Sequence, residues 1–133
     1  MQEKNYEFKK KWFDYLGYRP HSGQMPLHYP TKQDARFQVV VCGRRFGKTW
    51  ASAMEATYVA SQPNKRIWVV GMSYKKARLI FREIWQRMVV GHADDVDKAS
   101  EKDMYIRFKW GTIVEGMSAD NPSSLVGEGL DLL

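Results

Sequence analysis

The sequence predicts an α/β fold, with a mostly parallel sheet flanked by helices. Three observations predict it. Phe37-Gln38-Val39-Val40-Val41-Cys42 is a short apolar run, the pattern of a buried parallel strand. Trp50-Ala51-Ser52-Ala53-Met54-Glu55-Ala56-Thr57-Tyr58 is alanine-rich and reads as a buried helix. Between them stands a glycine-flanked turn, Gly43-Arg44-Arg45-Phe46-Gly47-Lys48-Thr49. A strand, a tight turn and a helix in this order make the first half of a parallel crossover unit.

The other elements follow in chain order. Residues 5–16 read as an amphipathic helix. Phe8, Trp12 and Tyr15/Leu16 lie on one face, Lys9-Lys10-Lys11 mostly on a solvated opposite face, and Gly17 sits just past the end. Residues 17–24 form a turn into a short helix limited by Pro26 and Pro30. Gln62-Pro63-Asn64-Lys65 turns into a second strand, Arg66–Gly71, and Ser73 caps a helix over 74–89. That helix repeats Ala77, Ile80, Phe81, Ile84, Trp85 and Met88 at helical spacing. Its other side carries Lys75, Lys76, Arg78, Arg82 and Arg87. Residues 91–103 are polar and acidic and read as a loop. Met104, Ile106, Phe108 and Trp110 alternate with polar residues as a half-buried strand. Trp110-Gly111 then turns it into Thr112–Met117, a hairpin. Residues 118–129 form a loop, and Leu130-Asp131-Leu132-Leu133 opens a further apolar strand.

The chain has 133 residues and a formal net charge of +6. Residues 1–90 carry 17 Lys and Arg against 6 Asp and Glu, whereas residues 91–133 carry 4 against 9. Positive charge gathered in one part of the chain is the footprint of a polyanion binder. Cys42 is the one cysteine, which excludes an internal disulfide. No apolar run approaches the ~20 residues of a membrane span.

The turn carries the chemistry. A loop between strand and helix aims backbone N–H groups at one spot, and the helix dipole favours an anion there. The spacing fits the phosphate-binding consensus G-x-x-x-x-G-K-[ST] with Cys42 in place of the first glycine. Gly43, Arg44, Arg45, Phe46 and Gly47 would surround the phosphates, Lys48 would reach the terminal ones, and Thr49 would sit on a magnesium ion. Gln24 lies upstream, where a side-chain amide could read the donor and acceptor edge of adenine. Lys75, Lys76 and Arg78 crowd the start of a helix against its dipole, a conflict that an anion such as a DNA phosphate would relieve.

Four stretches together resemble the N-terminal ATPase domain of a large terminase subunit, the DNA-packaging motor of tailed bacteriophages. Leu16–His21 with Gln24 is similar to the adenine motif, and Val41–Thr49 to the phosphate loop with its arginine after the first glycine. Trp110-Gly111-Thr112-Ile113 is similar to the family's Asn-Gly-Ser-x-Ile turn. Ser118–Pro122 with Leu125-Val126-Gly127 is similar to the stretch before Walker B and is the most specific of the four. The resemblance implies a P-loop NTPase core that binds ATP and Mg2+, with Gln24 on the adenine and Lys48 and Arg44 catalytic. It further implies double-stranded DNA, a portal protein and a small terminase subunit as partners, a homo-oligomeric ring on the procapsid, and the host cytoplasm as its place of work. Some relatives carry an arginine at the position of Val126, so a trans-acting finger is not expected from this site. The Walker B acidic pair would lie a few residues beyond Leu133 and the nuclease domain further on. Residues 1–133 are thus expected to form the N-terminal part of the ATPase domain and not to turn over ATP alone. The alternatives are a helicase-like DNA-dependent ATPase and a non-hydrolysing nucleotide- or DNA-binding fragment.

Overall fold

A computed structural model of the chain describes residues 2–31 and 36–133. Four helices precede and cross one four-stranded sheet. The helices are α1 (Gln2–Tyr15), α2 (Met25–His28), α3 (Lys48–Ala60) and α4 (Tyr74–Trp85), the last continued by a π-helical turn, Gln86–Val90. The strands are β1 (Arg66–Gly71), β2 (Val96–Ser100), β3 (Tyr105–Phe108) and β4 (Ile113–Ser118), in the order β1-β4-β3-β2. The sheet is mixed. β1 and β4 are parallel, whereas β4–β3 and β3–β2 are antiparallel. The tight turns after β2 and β3 reverse the chain, and such turns join only antiparallel neighbours. The expected α/β class holds, but the sheet is not mostly parallel among the described residues.

The alternating strand and the long helix form as their patterns predict. Met104, Ile106 and Phe108 are buried, and β4 buries every second residue. Ala77, Phe81, Ile84 and Met88 are buried with them, and the Ser73 side chain accepts the Lys76 N–H as the N-cap of α4. α3 buries Ala51, Ala53, Met54, Ala56, Thr57 and Ala60, four of them alanines that let it pack closely along α4. The Trp110-Gly111-Thr112 turn fastens α3 to the sheet. Trp110 Nε1 donates to Ala60 O (2.8 Å), Asn64 N–H to Trp110 O (3.1 Å), and the Thr112 hydroxyl to Gln62 O.

Three expectations fail, each for a physical reason. Residues 37–42 form no strand, and Phe37, Val39 and Val41 are 80%, 89% and 92% exposed. A parallel strand is held by backbone partners, and no described segment pairs with this one. The free edge of β1 takes a single parallel bridge, Ile67 to Leu132. Residues 96–100, read as loop, form edge strand β2. Edge strands tolerate polar sequences that mask the signal, and here Arg107 Nε holds Asp97 Oδ2 at 2.8 Å across the pair.

The third failure concerns α1. Phe8 and Tyr15 face solvent at 51% and 65% exposure, while Lys9 is buried with Phe13 and Leu16. Lys9 Nζ donates to Glu55 Oε1 and to His28 O, both at 2.6 Å, and lies 5.0 Å from the Tyr58 ring centroid. The other Glu55 oxygen is 2.7 Å from His28 Nδ1, and His28 Nε2 is 2.9 Å from the Tyr18 hydroxyl. Burial, reinforced by the Glu55 and Tyr29 charges, pushes the Tyr18 phenol up to about 12. A cation that finds a carboxylate and a carbonyl outweighs the apolar residue beside it, so the helix turns its lysine inward.

Lys9→Ala should therefore cost about 2–4 kcal/mol, because it leaves Glu55 without its cation. Lys10→Ala and Lys11→Ala, at exposed positions, should stay within ~0.5 kcal/mol. Urea denaturation of the three variants checks this, and equal costs would refute the buried pair.

Candidate nucleotide-binding site

The residues between Cys42 and Trp50 form the loop that the sequence singles out. Gly47 is the N-cap residue of α3, in the left-handed region at φ +91°, and Arg45 is also left-handed at φ +62°. Only glycine takes this conformation without cost, which is why one stands where the chain enters the helix. Ala51 N–H is the first to bond back, to Gly47 O at 2.9 Å, and no side chain caps the helix. The N–H groups of Lys48, Thr49 and Trp50 are then the orphan donors of the first turn, at the positive end of the helix dipole.

Lys48, Thr49, Arg44 and Arg45 are exposed around this end. Lys48 folds back over the loop, its Nζ donating to Cys42 O (2.9 Å) and Gly43 O (3.4 Å). Among the described residues neither arginine nor Lys48 is ion-paired. Three cations of one short loop thus stand exposed beside open amides without a neutralising carboxylate, which suits a polyanion. Among the described residues no group of three or more His, Cys, Asp or Glu could hold a metal ion. Thr49 is then the one oxygen donor that the motif places at the loop.

Gln24 is buried against the loop. Its Oε1 accepts the His21 N–H (3.1 Å) and its Nε2 donates to Gly47 O (3.1 Å), so each end of the amide has a partner within the chain. Sequence reasoning placed His21 in the adenine motif but missed its contact with the loop, and it missed the contact of Trp50. His21 Nε2 lies 2.8 Å from Phe46 O, and the two rings meet edge to face with centroids 4.9 Å apart. Trp50, in the first turn of α3, lies beneath the Arg87 guanidinium at 5.2 Å, while Arg87 Nη1 donates to Leu16 O. Neither pairing leaves a local sequence signal, since each spans many residues.

The basic helix is divided. Lys75 and Lys76 are exposed in the first turn of α4, beside exposed Met72 and Tyr74. Arg78 instead donates to Glu101 O (3.0 Å) and Lys102 O (3.3 Å). The two acids near the chain end are also engaged. Glu128 pairs with Arg66 at 2.5 Å, and Asp131 accepts the Arg66 N–H and lies 3.8 Å from Lys65 Nζ. All of these contacts are at the start of β1.

Comparison with known proteins gives a consistent picture. No protein-family profile matches the chain. The large terminase subunits of Thermus phage G20c and Thermus virus P23-45 are each 27% identical to it over 145 residues, covering 92% of the chain. The solved large terminase ATPase domain of Thermus phage P74-26 superposes with a TM-score of 0.77 at 25% identity, again over 92% of the chain. An R139A mutant of that domain superposes with a TM-score of 0.76. The chain spans 28% of the length of these curated relatives and 55% of the solved domain. The resemblance drawn from the motifs is thus borne out in sequence and in fold.

The two loop glycines should respond differently to alanine. A Cβ at Gly47 would lie 2.6 Å from Gln24 Nε2 at a positive φ, whereas nothing lies within 4 Å of one at Gly43. Gly47→Ala should cost about 1–2 kcal/mol from the left-handed backbone, and Gly43→Ala less than ~0.5. Thermal unfolding of both variants checks the difference, and equal losses would refute this geometry.

Proposed function

We propose that the chain is the N-terminal part of the ATPase domain of a phage large terminase subunit, a motor that couples ATP hydrolysis to translocation of double-stranded DNA into a procapsid. One observation carries this reading. The loop with a lysine, a threonine and open helix amides stands in a chain whose fold matches the terminase ATPase domain over 92% of its length. The stretch from Ser118 to Gly127 favours this family over helicase-like ATPases, which share only the loop and the glutamine. In the full-length protein the acidic Walker B pair and a nuclease domain complete the enzyme. The portal protein and the small terminase subunit join it in a ring of copies on the procapsid.

The chain's own residues divide the work. The N–H groups of the first turn of α3 hold phosphate oxygens, as donors that need no reorganisation. Lys48 exchanges Cys42 O and Gly43 O for the terminal phosphates and draws charge off them. Arg44 stabilises the charge that develops as the bond to the γ-phosphoryl group breaks. The Thr49 hydroxyl would hold a magnesium ion, which would supply charge neutralisation at the phosphates. Gln24 would read the adenine edge by releasing its bond to His21 or to Gly47. Positioning and electrostatics together account for most of the rate in phosphoryl transfer.

Lys48→Ala in the full-length protein should abolish hydrolysis or weaken nucleotide binding severely. A phosphate-release assay and a nucleotide titration check this, and wild-type turnover by the variant would sink the assignment.

DNA contact is proposed for Lys75, Lys76 and Arg78. Replacing all three by alanine should flatten the log–log salt dependence of DNA binding by up to ~0.9 per lost phosphate contact. An unmoved slope would mean that these side chains are merely solvated.

A further inference from the structure

We infer that His21 is a positioning residue for the phosphate loop, acting on the phosphates through Phe46 and Gly47 and not on the base. The inference rests on the reading of the loop as a nucleotide site. Phe46 O can only accept, so the His21 Nε2 that faces it at 2.8 Å carries the proton. Nδ1 is then bare, and it accepts the Gly23 N–H at 3.1 Å. Two backbone groups thereby hold a neutral imidazole in a single tautomer. The same residue's own N–H holds Gln24 Oε1, which leaves Gln24 Nε2 aimed at Gly47 O.

One turn therefore grips two successive loop carbonyls. In a trans peptide the C=O of one residue and the N–H of the next point in opposite directions. Drawing Phe46 O toward His21 turns the Gly47 N–H away from it, and drawing Gly47 O toward Gln24 does the same to the Lys48 N–H. The donors of the loop are thus aimed from behind, by residues that need not touch the ligand. Phe46 completes the grip. Its ring stands edge to face with His21, and a Cβ on Gly23 would come within 2.7 Å of it, so the turn leaves room for that ring. With both ends of the Gln24 amide engaged, base reading by Gln24 requires release of one of these bonds, which ties base recognition to loop geometry.

The test uses the full-length protein and the variants His21→Ala and His21→Gln. Amide hydrogen exchange over residues 46–50 is measured without nucleotide, and the affinities for ATP and for inorganic tripolyphosphate are measured with magnesium. In His21→Ala the amides should exchange faster, and both ligands should weaken by the same factor, about 3- to 10-fold for one lost hydrogen bond. His21→Gln, whose amide N–H can reach Phe46 O, should restore part of each effect. Unchanged exchange in His21→Ala would overturn the inference, as would a loss of ATP affinity with tripolyphosphate unaffected, which would mark a base contact. If the exchange responds but the wild-type protein binds neither ligand, the grip stands and the nucleotide reading falls. If the wild-type protein binds both and exchange does not respond, the nucleotide reading stands and the grip falls.

Discussion

A carboxylate cannot be taken out of water alone, and the packing of the helices depends on how Glu55 avoids that. It sits on α3, the helix that follows the Gly43–Gly47 loop, and receives Lys9 from α1 and His28 from α2. Each partner is itself held, Lys9 by His28 O and His28 by the Tyr18 hydroxyl. Electrostatic satisfaction therefore sets the position of α1 and α2 against α3, where apolar packing alone would tolerate sliding. The turn with His21 and Gln24 lies between Tyr18 and His28 in the chain, so a network with no part in the chemistry places the residues that grip the loop.

Much of the fold was legible because its signals are local. The α4 stripe, the Ser73 cap and the alternation through Phe108 each reflect a single element's own periodicity. Long-range compensation was not legible. Lys9 reads as surface until Glu55 and His28 are known to meet it, and they stand 46 and 19 residues away. Residues 37–42 mislead in the opposite sense, since an apolar run records the burial that its environment must supply and says nothing of where the partner comes from. Residues 96–100 lacked alternation because they lie at a sheet edge, where Asp97 and Lys98 face solvent.

The site divides in the same way. The turn and the helix start after it were legible, because a glycine stands where the chain enters α3 at a positive φ. Gln24 was legible as a candidate residue, but its hydrogen bonds to His21 and Gly47 were not, since nothing local encodes which backbone groups a buried amide will find. His21 stood at the end of the stretch similar to the adenine motif, but its bond to Phe46 O was not legible, nor was the contact of Trp50 with Arg87. Side chains that aim others are harder to see than side chains that contact a ligand.

The strand order has a consequence for how the chain folds. β2, β3 and β4 are consecutive and joined by short turns, so they can form early at little entropic cost. β1 must wait, because its partner β4 follows only after α4 and the whole meander. The Trp110 indole closes that long loop by reaching Ala60 O, at the end of α3. The parallel pair and the docking of α3 are therefore linked through one side chain. The loop at the other end of that helix is thus tied to non-local contacts, the kind that form slowly in folding.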